Sequence, residues 1–391
     1  MAHWSNWSGR HTAEPGGLHF ARSESDLAAL VAAASAGGTT VRAAGAGHSH
    51  MPLIPNDDCI IDMSGLSGVV DVDTAAKRAR VWAGTPIHSL GRPLHDAGLA
   101  LHNQGDIDRQ FIGGAIATGT HGTGRELTNL SAIVTGARVA LASGDVVECS
   151  AEVHPELFEA ARLSVGAVGI VTQVDLQCVD AFRLREHGWE APIDELRPQI
   201  ETLAGEHRHF EFFWYPGVDR AAAKTIDLTT DEPEYPLADE GGRCGWNYEV
   251  LPNHRPNRHT EMEFSVALES GPACLDAIVE LLRTEFTDVK WPVEYRTLAA
   301  DDVWLSTAGA GPVATISVHQ GIAHDDEPFF RACEEIFRSF DGRPHWGKVN
   351  WFTEADFAAA YPRWSDWWRV RDDHDPNRSL LGPWLQSVAP D

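Results

Sequence analysis

The sequence predicts a two-domain α+β protein, and three observations carry that expectation. The first half alternates helix-like and strand-like pieces divided by glycine turns. The character changes near residue 180, after which longer β-type runs are accompanied by two amphipathic helices. At 391 residues the chain is long enough for two domains with full cores, and its 43% hydrophobic and 23% charged residues are those of a globular protein.

Ser23-Glu24-Ser25-Asp26 stands before the run LAALVAAASA, which Gly37-Gly38 closes. These are the residues of a capped helix with a glycine stop, because a serine oxygen can take a free first-turn amide. TTVRAAG leads out as a strand and breaks at Gly45 and Gly47. Further strands are expected at CIIDM (59–63) and ARVWAG (79–84). AIVTGARVALASGDVVECS reads as a hairpin, with Ser143-Gly144-Asp145 as its turn. The helix PELFEAARL (155–163) then leads through SVGAVG to the strand IVTQVDLQCV (170–179). Beyond the boundary come HFEFFWYP (209–216), TEMEFSVALE (260–269) and VATISVHQ (313–320), with helices around 275–286 and 326–340. The acidic stretch 230–242 reads as a solvated loop, and no internal repeat is found.

Charge excludes some partners. With 57 acidic and 31 basic residues the net charge is −26, so neither nucleic acid nor an anionic membrane surface is expected to bind. No run of 18 apolar residues exists, and the first residues lack the basic and apolar regions of a secretory signal, so a cytoplasmic location is expected. The six cysteines, Cys59, Cys149, Cys178, Cys244, Cys274 and Cys333, show no CxxC spacing. They read as reduced thiols in the core; neither a disulfide framework nor a metal site is expected.

The densest chemical signal is Gly45-Ala46-Gly47-His48-Ser49 after a strand. Closely spaced glycines let backbone amides approach an anion, and the histidine sits beside whatever they hold. A second segment, GGAIATGTHGTG (113–124), is built for backbone contact with a long phosphate-bearing ligand and cannot pack a core by itself. Neither the GxGxxG fingerprint after a first strand nor a P-loop is matched. The residues alone therefore indicate a dinucleotide-sized anion held by two glycine-rich loops.

GAGHS together with GDID and GGAIATGTHGTG resembles the vanillyl-alcohol-oxidase-type flavoprotein family, nearest its aldonolactone oxidase and alditol oxidase branch. The likeness continues through Glu294-Tyr295-Arg296 with AADDVWLS (299–306), RPHWGK (343–348), YPRW (361–364) and DPNRSLLGPWL (375–385), and so covers nearly the whole chain. The resemblance implies a PCMH-type FAD-binding domain over residues 10–180. It implies a substrate domain over 181–391, with a mixed or antiparallel sheet flanked by helices and a C-terminal segment bearing Lys348 that returns to the flavin. His48 is expected to carry FAD through the 8α-methyl carbon, a link that raises the flavin potential. Gly45, Ala46, Gly47, Ser49, Gly114, Ala115, Ala117, Thr118, His121, Gly122 and Ile170 are expected to hold the cofactor. Gly105 and Asp106 are expected against the isoalloxazine, where a glycine resembles oxidases.

For the substrate the resemblance points to Asp106, Glu294, Arg296, Ser317, His319, Lys348 and Asn350. Glu294 and Arg296 are two apart, so on a strand both project to one face. A cation there would stabilise alkoxide character, and Lys348 beside a second cation would accept the hydroxyl proton. His345 and Trp346 are expected to pack and hold Lys348. The implied reaction passes hydride from a CH–OH carbon of an aldonolactone, alditol or related sugar-like molecule to the flavin and then to dioxygen, giving hydrogen peroxide. A dehydrogenase using another acceptor, or a tailoring oxidase of an amino sugar or nucleoside, stays open. His50, Phe111 and Asn350 depart from the family's pattern, as does the segment 230–259.

Overall fold

The computed structural model describes residues 2–390 and contains three sheets that position the site. The helix Glu24–Gly37 forms as its caps require: Asp26 N donates to the Ser23 hydroxyl at 3.1 Å, and Gly38 closes it in the left-handed conformation. It connects two strands of a small parallel sheet, Gly17–Phe20 and Val41–Ala44, which both pair with Cys59–Asp62 between them. Val41–Ala44 therefore delivers GAGHS at the carboxyl end of a parallel strand, an edge where α/β sheets commonly bind ligands.

A five-stranded antiparallel sheet lies beside it, in the order Val146–Ser150, Val134–Ala140, Ile170–Gln177, Arg78–Trp82, Val69–Asp73. The hairpin at 143–145 joins its first two strands as the sequence predicts. The chain then enters an eight-stranded antiparallel sheet. Its order is Cys244–Trp246, Arg183–Pro192, Arg220–Thr229, His209–Tyr215, Val293–Leu298, Val313–Gly321, His259–Ala267, Arg343–Pro344. Helices Gly271–Thr284 and Glu327–Ser339 pack on one face over Tyr295, Ile316 and Phe264. Alternation then sends Glu211, Glu261, Glu263, Glu294, Arg296, Ser317 and His319 to the opposite face. In the central strands that face is also buried, so there the sheet has a hydrophobic side and a charged side, while the outer strands expose Arg185, His187, Ala222 and Leu228.

The C-terminal helices Glu354–Ala360, Trp364–His374 and Pro383–Ser387 return to the first half of the chain. Trp367 Nε1 donates to Ala160 O at 3.2 Å, and Val41 N donates to Ser379 O at 2.8 Å. A stack of Trp346, Phe357, Trp364 and Trp367, with ring centres 4.8–6.2 Å apart, holds this tail to the substrate side. Arg42 is fully buried and donates to four carbonyls: Leu53 O at 2.9 Å, Val165 O at 2.7 Å, Gly166 O at 2.8 Å and Leu380 O at 2.6 Å. Burial, reinforced by Arg371, pushes this guanidinium down to about 10.

Three features differ from the sequence reading. Half of GGAIATGTHGTG does pack a core: Ile112–Ala117 is a short helix that buries Ile112, Ala115 and Ile116. Arg220–Thr229, for which no element was expected, is a strand paired along both its edges in the sheet. The stretch 230–242 is largely exposed, yet Glu240 turns back to the cavity wall. No helix among the described residues is long and apolar enough to cross a membrane.

Candidate active site

Two cavities adjoin. The first, about 970 Å³, is lined by the two glycine-rich loops together with Arg42, Met51, Leu53, Met63 and the segment 164–171. Of the residues expected to hold the cofactor, Gly45, Ala46, Gly47, His48, Ser49, Gly114, Ala115, Ala117, Thr118 and Ile170 face it, with Phe111 between the loops. Gly47 must be glycine: its φ is +71°, and a Cβ would stand 3.2 Å from Asn6 Cα. A Cβ on Gly114 would point into open space, so the floor of this cavity is bare peptide. Such a cradle fits FAD, whose diphosphate needs amide donors and whose rings need length.

His48 lies at the edge of this cavity, its ring stacked on Trp7 with centres 5.3 Å apart and planes 25° off parallel. Trp7 N donates to Gly47 O at 2.8 Å and Asn6 Nδ2 to Ser49 O at 3.0 Å, so the segment around residues 6–7 clamps the loop. Burial first, then Lys348 and His259, push His48 down to about 4, which leaves a neutral imidazole at pH 7. The sequence reading missed the clamp, because an isolated Asn-Trp pair carries no spacing signal.

The second cavity, about 1430 Å³, meets the first at Gln110, which lines both. Asp106, Glu294, Arg296, His319 and Lys348 line it with His345, so most of the expected substrate residues converge here, and Gly105 and His121, expected to hold the cofactor, line this cavity rather than the first. Three expected residues lie elsewhere. Gly122 packs on Gln104 O, Ser317 points its hydroxyl to Glu263 Oε2 at 2.8 Å, and Asn350 Nδ2 closes a turn onto Lys348 O at 3.1 Å. His345 shares this wall rather than only packing, and its Nδ1 accepts from Gly347 N at 3.0 Å.

Two buried glutamates organise the charged face. Glu263 takes the Arg296 guanidinium, His121 Nε2 at 2.8 Å and Ser317 Oγ. Glu261 takes the Lys348 ammonium, and His319 Nε2 lies 3.7 Å from its Oε1. Burial pushes both carboxyls up, but His121 and Arg296 at Glu263, and Lys348 and His319 at Glu261, hold them well below the usual range. The expectation that Lys348 sits beside a second cation is therefore corrected: its nearest charged partner is a carboxylate. Both glutamates lie in TEMEF, where an acid at alternate positions of an apolar run was the available signal.

Glu294 is different. Burial pushes its carboxyl up to about 8, although Arg296 Nε lies 3.3 Å from its Oε1 and works the other way. His319 Nδ1 lies 2.8 Å from Pro292 O and so carries the ring proton, leaving the Nε2 lone pair toward the cavity. Burial lowers this histidine to about 4. Asp106, between Arg255 at 2.9 Å and Lys224 at 3.7 Å, is held at about 2 against the effect of burial.

The family model described as D-arabinono-1,4-lactone oxidase matches residues 174–243 and 236–388, and that of an FAD binding domain matches 15–150. The chain belongs to the D-arabinono-1,4-lactone oxidase family. It is 34% identical to an L-gulono-1,4-lactone dehydrogenase of Mycobacterium tuberculosis, over 98% of each chain. It is 30% identical to an alditol oxidase of a Streptomyces species, again over 98% of each. In fold it is similar to a cholesterol oxidase from Brevibacterium sterolicum, with a TM-score of 0.87 at 17% identity over 99% of this chain and 96% of that one. The FAD-binding match supplies most of the lining of the first cavity, while the second draws on both matches, with Gly105, Asp106, Gln110 and His121 from one and Glu294, Arg296, His319 and Lys348 from the other.

Proposed function

We propose that this chain oxidises a hydroxyl group of an aldonolactone, alditol or related sugar-like molecule, using FAD bonded to His48 and dioxygen as acceptor. The observation that carries this reading is the convergence of Glu294, Arg296, His319 and Lys348 on a cavity that meets the cofactor cavity at Gln110. When bound, FAD supplies the acceptor for the hydride and passes the electrons to dioxygen. Arg296 faces the cavity as a fixed cation and stabilises negative charge on the reacting oxygen. His319 Nε2 takes the hydroxyl proton, since its lone pair is free. Glu294, protonated at pH 7, donates a hydrogen bond to another hydroxyl. Lys348, held by Glu261, orients the polyol. The alditol and lactone oxidases among the relatives support the substrate class.

The test has two readouts. Acid precipitation of the purified wild type is expected to leave yellow colour in the pellet, whereas His48→Ala releases it to the supernatant. Equal release from both proteins would sink the bond to His48. Hydrogen peroxide measured over sugar lactones, alditols and nucleosides then identifies the substrate; no release with any of them sinks the oxidase reading.

Gly105 does not discriminate between acceptors. A Cβ at Gly105 would stand 2.9 Å from His121 O, so glycine is demanded there by packing whatever reoxidises the flavin. The dehydrogenase from M. tuberculosis is also a relative. Faster turnover with a dye under nitrogen than with air would assign the chain to that class.

Glu294 gives a pH signature. Its carboxyl donates only while protonated, so kcat/KM is expected to fall as pH rises through about 8. Glu294→Gln, which donates at every pH, is expected to flatten that limb. A limb unchanged in the glutamine variant would remove Glu294 from substrate binding.

A further inference from the structure

Beside the oxidation machinery, one wall of the second cavity gathers imidazole nitrogens around a carboxylate. His259 Nδ1 lies 2.9 Å from Asn257 O, so it carries the ring proton and leaves Nε2 as a lone pair. That Nε2 is 3.6 Å from Glu261 Oε2. His50 Nε2 reaches the same oxygen, also at 3.6 Å, while its Nδ1 has no partner and the residue is 6% exposed. Backbone holds His50 in place, through His11 Nε2 on His50 O at 2.8 Å and His50 N on Gly347 O at 2.6 Å. Neither distance to Glu261 is a hydrogen bond. The cation beside this carboxylate is the Lys348 ammonium, on the same Oε2, so an ion bound here would take its place.

We propose that His50, His259 and Glu261 form a binding site for a divalent transition-metal ion of the zinc class, which evicts the Lys348 ammonium from Glu261. Ligand bonds of about 2.0–2.1 Å at tetrahedral angles set ligand atoms about 3.4 Å apart, so two edges observed at 3.6 Å need almost no rearrangement. Two imidazoles and a carboxylate suit zinc or cobalt. A histidine that donates its other ring N–H to a carbonyl, as His259 does to Asn257, has the usual support of a metal ligand. His319 Nε2, on the other oxygen of Glu261 at 3.7 Å, or a water closes the fourth position. Lys348 borders the cavity with a fifth of its side chain exposed, so it can swing away. The sequence pointed away from metals because only cysteine spacing was informative there; these ligands are 209 residues apart between His50 and His259 and meet through the fold. Resting on the proposed reaction, displacement of Lys348 makes the ion an inhibitor that competes with substrate.

Cobalt(II) is the probe, because a tetrahedral centre gives visible ligand-field bands beyond the flavin absorption. Titration of the holoenzyme is expected to saturate at one equivalent per chain, with zinc reversing the bands. His259→Gln and His50→Gln are each expected to weaken binding by at least about tenfold. Lys348→Met is expected to tighten it, which a merely structural histidine cluster would not do. Absence of the bands, binding unaffected by either histidine variant, or a lysine variant no tighter than wild type overturns the proposal. These readouts need no turnover, so failure of the proposed oxidation leaves them interpretable.

Discussion

Replacing Arg296 with methionine is expected to lower kcat/KM by about a hundred- to a thousandfold and to cost about 3–5 kcal/mol of stability. The side chain is 10% exposed and bridges Glu263 and Glu294, with Nη1 3.5 Å from His121 O. Without it Glu263 keeps only His121 and Ser317, and a buried carboxylate has lost its permanent cation. The kinetic part has a separate cause: among the described residues only Arg255 also lines the cavity with a guanidinium, and it is spent on Asp106 and Glu240. Arg296→Lys is expected to recover part of the stability and less of the rate, as an ammonium cannot span both glutamates. Steady-state kinetics and urea unfolding separate the two effects. An unchanged kcat/KM in the methionine variant would place the cation outside the reacting centre.

Arg42→Met is the second large effect. Four carbonyls from three distant segments converge on this guanidinium, and each buried acceptor left without a donor costs about 1–3 kcal/mol. The variant is expected to unfold at markedly lower urea and to release its C-terminal tail to proteases first, because Leu380 loses its anchor to Val41–Ala44. Retention of flavin is expected to fall with it, since Arg42 and Gly166 both border the cofactor cavity. Lysine is no rescue, having three donors on one atom where four carbonyls surround a planar fork. A variant with wild-type unfolding and an uncleaved tail would show that the tryptophan stack alone secures the terminus.

How much was legible depended on whether the signal was local. The helix at 24–37, the hairpin at 143–145 and the glycine loops announce themselves through caps, turns and spacing within a few residues. Glu294 and Arg296 were readable as a same-face pair because they share one strand. Glu261 and Glu263 were not, since their partners come from four other segments and their roles appear only in register with Ser317 and His319. Asn350 and Ser317 sit next in sequence to cavity residues and yet point at backbone and at Glu263, a matter of side-chain direction that spacing does not encode. Trp7 and Arg42 act by contacts over long sequence separations, the kind a single sequence hides best.

The Arg42 staple also orders events in time. Leu53, Val165 and Gly166 are synthesised long before Leu380, so on the ribosome the guanidinium lacks one of its acceptors until the last part of the chain emerges. The nascent first half can form its sheets and its glycine loops, but the wall of the cofactor cavity near Gly166 is not locked. Stable flavin capture is therefore expected late in biosynthesis, with docking of the tail, and nascent chains that stop short of residue 380 are expected to stay colourless.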